Sequence, residues 1–219
     1  MQKTFFDLPV YQDDAKSMLE KHNITKLLEY DRYCRDTMRF DEQKKCYAEK
    51  SRVRITWYDG DGREFVERSR KMSESGKLKD GTYSTPRHKI YNTFVYLNGD
   101  KAVAEMQCMM GAYHTINNVE YHRFGWARLL YRVVKEENVW KIAALDCIYE
   151  RDMLVPVVPD KNALVDPKDF EKYRASYKCV SWLFEKTGLP CSQELPGDDK
   201  PETVQKLYDE ASSWLLGTK

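Results

Sequence analysis

The stretch LNGDKAVAEMQCMMGAYHTINNVEYHRFGWARLLYRVVKEENVW, residues 97–140, decides the fold. Asn98-Gly99-Asp100 is a two-residue hairpin signature, and Asn117-Asn118 and Glu136-Glu137-Asn138 mark two further turns. Between these turns the chain alternates. Ala102, Ala104, Met106, Cys108 and Met110 share one face of a strand, and Ala127, Leu129, Tyr131 and Val133 alternate with Arg128 and Arg132 in the next. The pattern predicts long antiparallel strands at 88–98, 101–115, 120–136 and 138–150, the last of them apolar on both faces.

Upstream, the period changes. Ile24, Leu27, Cys34 and Met38 recur at helical steps, which predicts a helix over 12–38 with a possible break at Asn23–Thr25. A short helix at 41–48 and a strand at 51–58 follow, the strand stopped by Asp59-Gly60-Asp61-Gly62. Residues 64–72 read as a charged surface helix, and 73–86 as a polar loop. Downstream, Val155–Pro159 is an extended connector. Asp166-Pro167 caps a helix running to about Lys186, and Pro201 opens a last helix to Leu216. Helices first and hairpin-linked strands after them indicate an α+β fold, a curled antiparallel sheet wrapped over helices. The expected division is a main domain over 1–155 and a helical extension over 156–219, which buries its apolar faces on the same or a neighbouring subunit.

Composition excludes several functions. The 219 residues are 42% hydrophobic and 32% charged, enough for a packed core. Thirty-six basic against 35 acidic residues argue against a nucleic-acid binder or an electrostatic membrane binder. No apolar run is long enough to span a bilayer, and the N-terminus lacks a signal peptide's apolar core. The six cysteines show no C-x-x-C spacing, so free thiols in a cytoplasmic protein are expected. The 15 Tyr, 8 Phe and 5 Trp exceed what packing alone needs and suggest a lined cavity.

Nucleotide-binding, zinc-hydrolase and serine-hydrolase motifs are absent, and the four histidines show no metal spacing with the cysteines. His22 reads as a surface or cap residue and His114 as a rim residue. His88 opens a strand directly after a loop, where a polar side chain can face a cavity mouth. Asp36 lies near the end of the first helix, a mildly unfavourable place for a carboxylate. Asp146 shares a predicted face with Trp140, Ile142, Ala144 and Ile148, where a buried carboxylate needs a partner.

Arg35-Asp36-Thr37-Met38-Arg39-Phe40-Asp41-Glu42, followed by Cys46-Tyr47-Ala48-Glu49, resembles the opening motif of the SnoaL-like, nuclear transport factor 2-like superfamily. Arg87-His88-Lys89-Ile90-Tyr91-Asn92 with Gly99-Asp100-Lys101-Ala102 is similar to its His, Asn and Gly-Asp-x-Ala pattern. Val139-Trp140-Lys141-Ile142 is similar to its closing strand, with Asn138 where glycine is usual. The resemblance covers about residues 15–155 and implies a cone-shaped, cystatin-like fold with a pocket inside.

Asp36 and His88 fall where the scytalone dehydratase-like branch carries an aspartate–histidine pair. The resemblance thus implies a lyase or isomerase working by proton abstraction, without a cofactor, on a small cyclic or aromatic-like substrate. The carboxylate is expected to raise the imidazole pKa above its ordinary value. His122 and Tyr58 become candidate substrate-binding residues beside Asp146, although the parity of His122 opposes Ala127, Leu129 and Tyr131, and Tyr58 alternates against Trp57. The alternatives are a non-catalytic ligand carrier and a subunit like the β chains of ring-hydroxylating dioxygenases. The fold's convex sheet face leads to the expectation of a homodimer or homotrimer, unless the tail helices cover that face.

Overall fold

Asp14 starts the first helix by accepting a 2.7 Å hydrogen bond from the Ser17 N–H, and α1 then runs unbroken over Ala15–Asp36. The possible break at Asn23–Thr25 does not occur: the helix is continuous there, and the Thr25 hydroxyl bonds back to the Lys21 carbonyl instead of capping a new helix. The computed structural model describes residues 3–11, 13–75, 86–159, 161, 165–189 and 191–217. Helix α1 stops abruptly at Asp36. Met38 adopts φ +60°, and the Arg39 N–H turns back to the Cys34 carbonyl, a left-handed cap built without glycine. Such a conformation costs roughly 1–2 kcal/mol in a non-glycine residue. Packing of the Met38 side chain against the core opposes that cost.

Helix α2 (Phe40–Lys45) is shorter than the sequence suggests, since Tyr47 already begins β1 (Tyr47–Ile55). The Asp59–Gly62 signal is not a free turn. The chain reverses at Thr56-Trp57 and returns as β2 (Tyr58–Asp61), and Asp61 Oδ1 then accepts from the Arg63 and Glu64 N–H groups to cap α3 (Gly62–Ser75). Helix α3 is amphipathic rather than wholly superficial, burying Phe65, Val66, Ser69 and Ser73. Residues 76–85 of the expected 73–86 loop lie outside the described residues.

The four long strands are β3 (Arg87–Asn98), β4 (Lys101–Ile116), β5 (Val119–Glu136) and β6 (Val139–Pro156). Each turn between them has two residues, with positive φ at Gly99, at Asn117 and Asn118, and at Glu137 and Asn138. The sheet order is β2-β1-β6-β5-β4-β3. One pairing departs from the antiparallel expectation: β1 runs parallel to β6. These strands are joined by a long path through α3 and four strands, so no hairpin constrains their direction.

Each face of the sheet has its own core. Ile24 and Leu28 of α1 pack on the concave face against Ala104, Met106, Leu129 and Tyr131. On the convex face, Val103, Leu130 and Ile148 meet Phe5 and α5 (Pro201–Leu216) through Val204, Leu207, Ala211 and Leu215. The tail is therefore split between the two faces. Its first helix is not continuous over 166–186: Asp166 caps a single 3-10 turn at Pro167–Phe170, and α4 (Lys178–Lys186) starts separately and joins the concave side through Val180. Among the described residues, no helix is long and apolar enough to cross a membrane. All six cysteines are free thiols.

The docking of α5 has a direct test. Leu207 is 2% exposed within the convex cluster, so Leu207→Ala should lower unfolding stability by about 2–5 kcal/mol. In urea the midpoint should fall with little change in slope, whereas the exposed Gln205→Ala should change stability by less than about 0.5 kcal/mol. Equal effects from both substitutions would contradict the packing described.

Candidate active site

Because α1 ends at Asp36 and β3 begins at Arg87, two distant chain segments meet at one point. The His88 backbone N–H donates to Asp36 Oδ2 at 2.6 Å, and His88 Nδ1 lies 2.6 Å from Asp36 Oδ1. Arg87 donates to the Asp36 backbone carbonyl and anchors the same junction. Both oxygens of the carboxylate thus face one residue. With Nδ1–H held by Asp36, the basic lone pair of the ring is on Nε2.

His88 lines a cavity of about 80 Å³ between the concave sheet face, α1, α3 and α4. Its apolar wall includes Ile55, Trp57, Leu129, Leu145, Val180 and Phe184. Its polar groups are His88, Thr56, Tyr149, Cys147 and three arginines, Arg32, Arg35 and Arg123. The Tyr149 hydroxyl oxygen accepts from the Thr56 N–H at 2.9 Å. Burial raises the pKa of both Tyr149 and Cys147, so each keeps its proton.

The charges around His88 come from a second, fully buried group. Asp31 has no exposed surface and accepts from Arg32 Nε and Nη2 at 2.9 and 2.6 Å, from Gln43 Nε2 at 3.0 Å and from the Tyr131 hydroxyl at 3.4 Å. Arg35 is also buried, but its hydrogen bond goes only to a neutral group, Ser73 Oγ, at 3.1 Å. Burial, reinforced by Arg32, pushes the Arg35 pKa down to about 10.

The His88 pKa lies below its ordinary 6.5, opposite to the expectation from its carboxylate neighbour. Burial is the largest cause. The bond to Asp36 opposes it, while the Arg32 and Arg35 charges add to the lowering. Asp36 is raised by burial, yet its bonds to the His88 ring and backbone and the Arg32 charge hold it below 3.8. At neutral pH the pair is an ionised carboxylate and a neutral imidazole. Both groups have lowered folded-state pKa values, so both stabilise the fold at higher pH. The His88 contribution is present above 6.5 and is lost as pH falls toward its folded value, and that of Asp36 is lost below 3.8.

The other three candidates lie elsewhere. The Tyr58 hydroxyl donates to the Asp61 carbonyl at 2.8 Å, and its ring packs on Phe65 below the β1–β2 hairpin. His122 stacks on Tyr113 on the opposite sheet face from Ala127 and Leu129, since β5 pairs with β4 without a bulge. Asp146 binds Arg54 at 2.7 Å and Arg132 at 3.2 Å. A bulge explains its direction: Val133 pairs with Ile142 and Arg132 with Ala144, so the parity of β6 switches after Ile142. Leu145 and Cys147 therefore face the cavity, and Asp146 points away with Ile148. His22 is exposed; His114 is half-buried, and its pKa is pushed down to about 4, chiefly by burial.

Sequence reasoning missed the arginines. Arg123 carried a signal, because it shares parity with Ala127, Leu129 and Tyr131 and puts a charge on an apolar face. Arg32 also had one, standing four residues after the buried Leu28 on the inner stripe of α1. Among the described residues no group of three His, Cys, Asp or Glu side chains is placed to hold a metal ion.

Fold and site together define a class: α+β cones whose curved sheet and first helix enclose a partly apolar cavity, here with a carboxylate-held imidazole on its wall. The chain belongs to the SnoaL-like domain family, whose profile matches residues 16–146. Pea pathogenicity protein 2 of Fusarium vanettenii is 23% identical over 206 residues, covering 91% of this chain and 87% of that protein. Among solved structures, a putative scytalone dehydratase from Novosphingobium aromaticivorans aligns with TM-score 0.50 at 13% identity, over 68% of this chain and 97% of its own. A hexachlorocyclohexane dehydrochlorinase from Novosphingobium barchaimii aligns with TM-score 0.53 at 12% identity, over 71% and 100%. At these identities the structural likeness shows a shared fold.

The electrostatic account predicts a specific NMR result. The His88 imidazole should titrate below 6.5, and Asp36→Asn should move it further down. The substitution removes the negative neighbour that favours the imidazolium and leaves Arg32 and Arg35 in place. An upward shift would overturn the assignment of causes.

Proposed function

We propose that the protein is a cofactor-independent lyase or isomerase, in which His88 abstracts a proton from a carbon beside a carbonyl-type group. The observation carrying this reading is the 2.6 Å contact between Asp36 and a neutral His88 on a cavity wall. A base that is neutral at working pH needs no prior deprotonation. Asp36 fixes the tautomer that leaves Nε2 basic and stabilises the ring once it is protonated. In an elimination the C–H bond breaks as Nε2 takes the proton, its electron pair forms the C=C bond, and the β C–O bond breaks. The departing hydroxide takes the proton back from Nε2 and leaves as water. The protonated Tyr149 is a neutral hydrogen-bond donor for an oxygen in the same cavity.

The cavity bounds the substrate. An apolar cavity of about 150 Å³ holds benzene. At about 80 Å³, this one takes a six-membered ring only when wall residues such as Trp57 or Phe184 move. A small cyclic hydroxy ketone entering by such a movement is the substrate class this reading favours.

The test is a screen of small hydroxy ketones and hydroxy acids, followed by kinetics of His88→Ala and Asp36→Asn. His88→Ala should lower turnover by about 10²- to 10⁴-fold, Asp36→Asn should lower it too, and the double variant should be little worse than His88→Ala. Wild-type kcat/KM should rise with pH through a limb below 6.5 and then level off, as protonated His88 loses its proton. Near-normal turnover in both single variants would assign the chemistry elsewhere. Ligand binding with no turnover across the screen would favour the non-catalytic carrier.

A further inference from the structure

The cavity contains more positive charge than the proton-transfer step uses. Three carboxylates stand among the groups around it, and each is already engaged. Asp31 is bound by Arg32, Gln43 and Tyr131, and Asp36 by His88. Asp152 accepts from the Cys179 and Val180 N–H groups at the start of α4 at 3.1 and 2.8 Å. Arg35 and Arg123 line the same cavity at 3% and 7% exposure; Asp36 and Asp152 attract them through space, but among the described residues neither forms a direct ion pair with a carboxylate, and burial outweighs the attraction in both. A buried guanidinium with no direct carboxylate contact is costly, and native proteins seldom retain one without a use.

The backbone makes room for Arg123. Gly125 lies two residues further along the same face of β5, and a Cβ built there would sit 2.7 Å from Arg123 Nη1. The guanidinium thus lies back over the missing side chain, along the strand toward Ala127 and Leu129, which is the direction of the cavity. The planar fork of an arginine matches a carboxylate in two parallel hydrogen bonds. The remaining wall, Leu129, Leu145, Val180 and Phe184, is apolar and suits a short hydrocarbon portion better than a fully hydrated dianion such as phosphate.

We infer that the substrate of this cavity carries a carboxylate, held by Arg123 and Arg35 beside His88. This rests on the proposed function only in taking the cavity as the substrate site. Of the hydroxy ketones and hydroxy acids in the substrate screen it selects the small hydroxy acids, in which the proton removed by His88 is next to the arginine-bound carboxylate.

Propionate and butyrate are small acid probes with a hydrocarbon portion, and propionamide and butyramide are their neutral counterparts. Binding is measured by thermal shift and by isothermal titration with the full chain, at ionic strength fixed with sodium chloride. Wild type should bind each acid at least tenfold more tightly than its amide. Arg123→Met and Arg35→Met should each reduce that preference severalfold or more. Gly125→Ala should reduce it too, since it retains the charge but displaces Nη1, and the far end of a flexible side chain can move without unfolding the strand. The preference should survive His88→Gln.

Equal binding of acid and amide by wild type would overturn the inference. So would a wild-type preference in both Arg123→Met and Gly125→Ala, tighter binding of inorganic phosphate than of propionate, or loss of the preference in His88→Gln. None of these measurements requires turnover. Normal turnover in His88→Ala with the carboxylate preference intact would refute the proposed chemistry and leave this inference standing.

Discussion

The buried Asp31 carboxylate is the constraint on which the rest of the concave side depends. A fully desolvated charge persists only when its lone pairs are matched, and here the matching groups come from α1, α2 and β5. The first helix, the short second helix and the centre of the sheet are thereby held in one relative position. Removing such a partner typically costs about 3–5 kcal/mol, because the remaining charge stays buried and unpaired. The same arrangement fixes Arg32 one turn before Asp36. The field at His88 is therefore set partly by a group that serves the fold.

The sheet carries two structures on its two faces, and small irregularities decide which residues belong to which. One extra residue in β6 near Ala143 switches its parity, bringing Leu145 and Cys147 to the cavity side and Asp146 to the other. The regular pairing of β4 and β5 brings Arg123 inward and keeps His122 out. On the convex face, α5 and Phe5 occupy surface that would otherwise be apolar and exposed. The backbone N–H of Phe5 donates to Ser212 Oγ, so the two ends of the described chain are fastened to the same face.

Turn chemistry and alternation made the four long strands readable, because Gly99, Asn117, Asn118 and Asn138 occur where positive φ is needed. The last helix was readable for a similar reason, with proline at its start and glycine in the left-handed position at its end. The juxtaposition of Asp36 and His88, 52 positions apart in the chain, came from family resemblance, since no local pattern encodes it. Strict alternation misplaced Asp146, because a bulge leaves no mark in residue type. The sign of the His88 shift was unreadable from its neighbours in sequence. It depends on burial and on two arginines whose inward direction only the packed helix defines. The parallel β1–β6 pairing was hidden as well, because Tyr47 and Ile142 meet across nearly a hundred residues.

The cavity wall also includes a thiol, that of Cys147, which is 1% exposed and kept protonated by burial. A thiol in that state is a poor nucleophile and is screened from reagents in bulk water. Modification at Cys147 therefore occurs only during excursions in which the cone loosens and the sulfur meets solvent. The rate of its alkylation becomes a clock for that breathing, read on the native protein without denaturant. The partly exposed Cys191 reports ordinary surface access in the same experiment, so the two sulfurs separate opening of the interior from reactivity of the reagent.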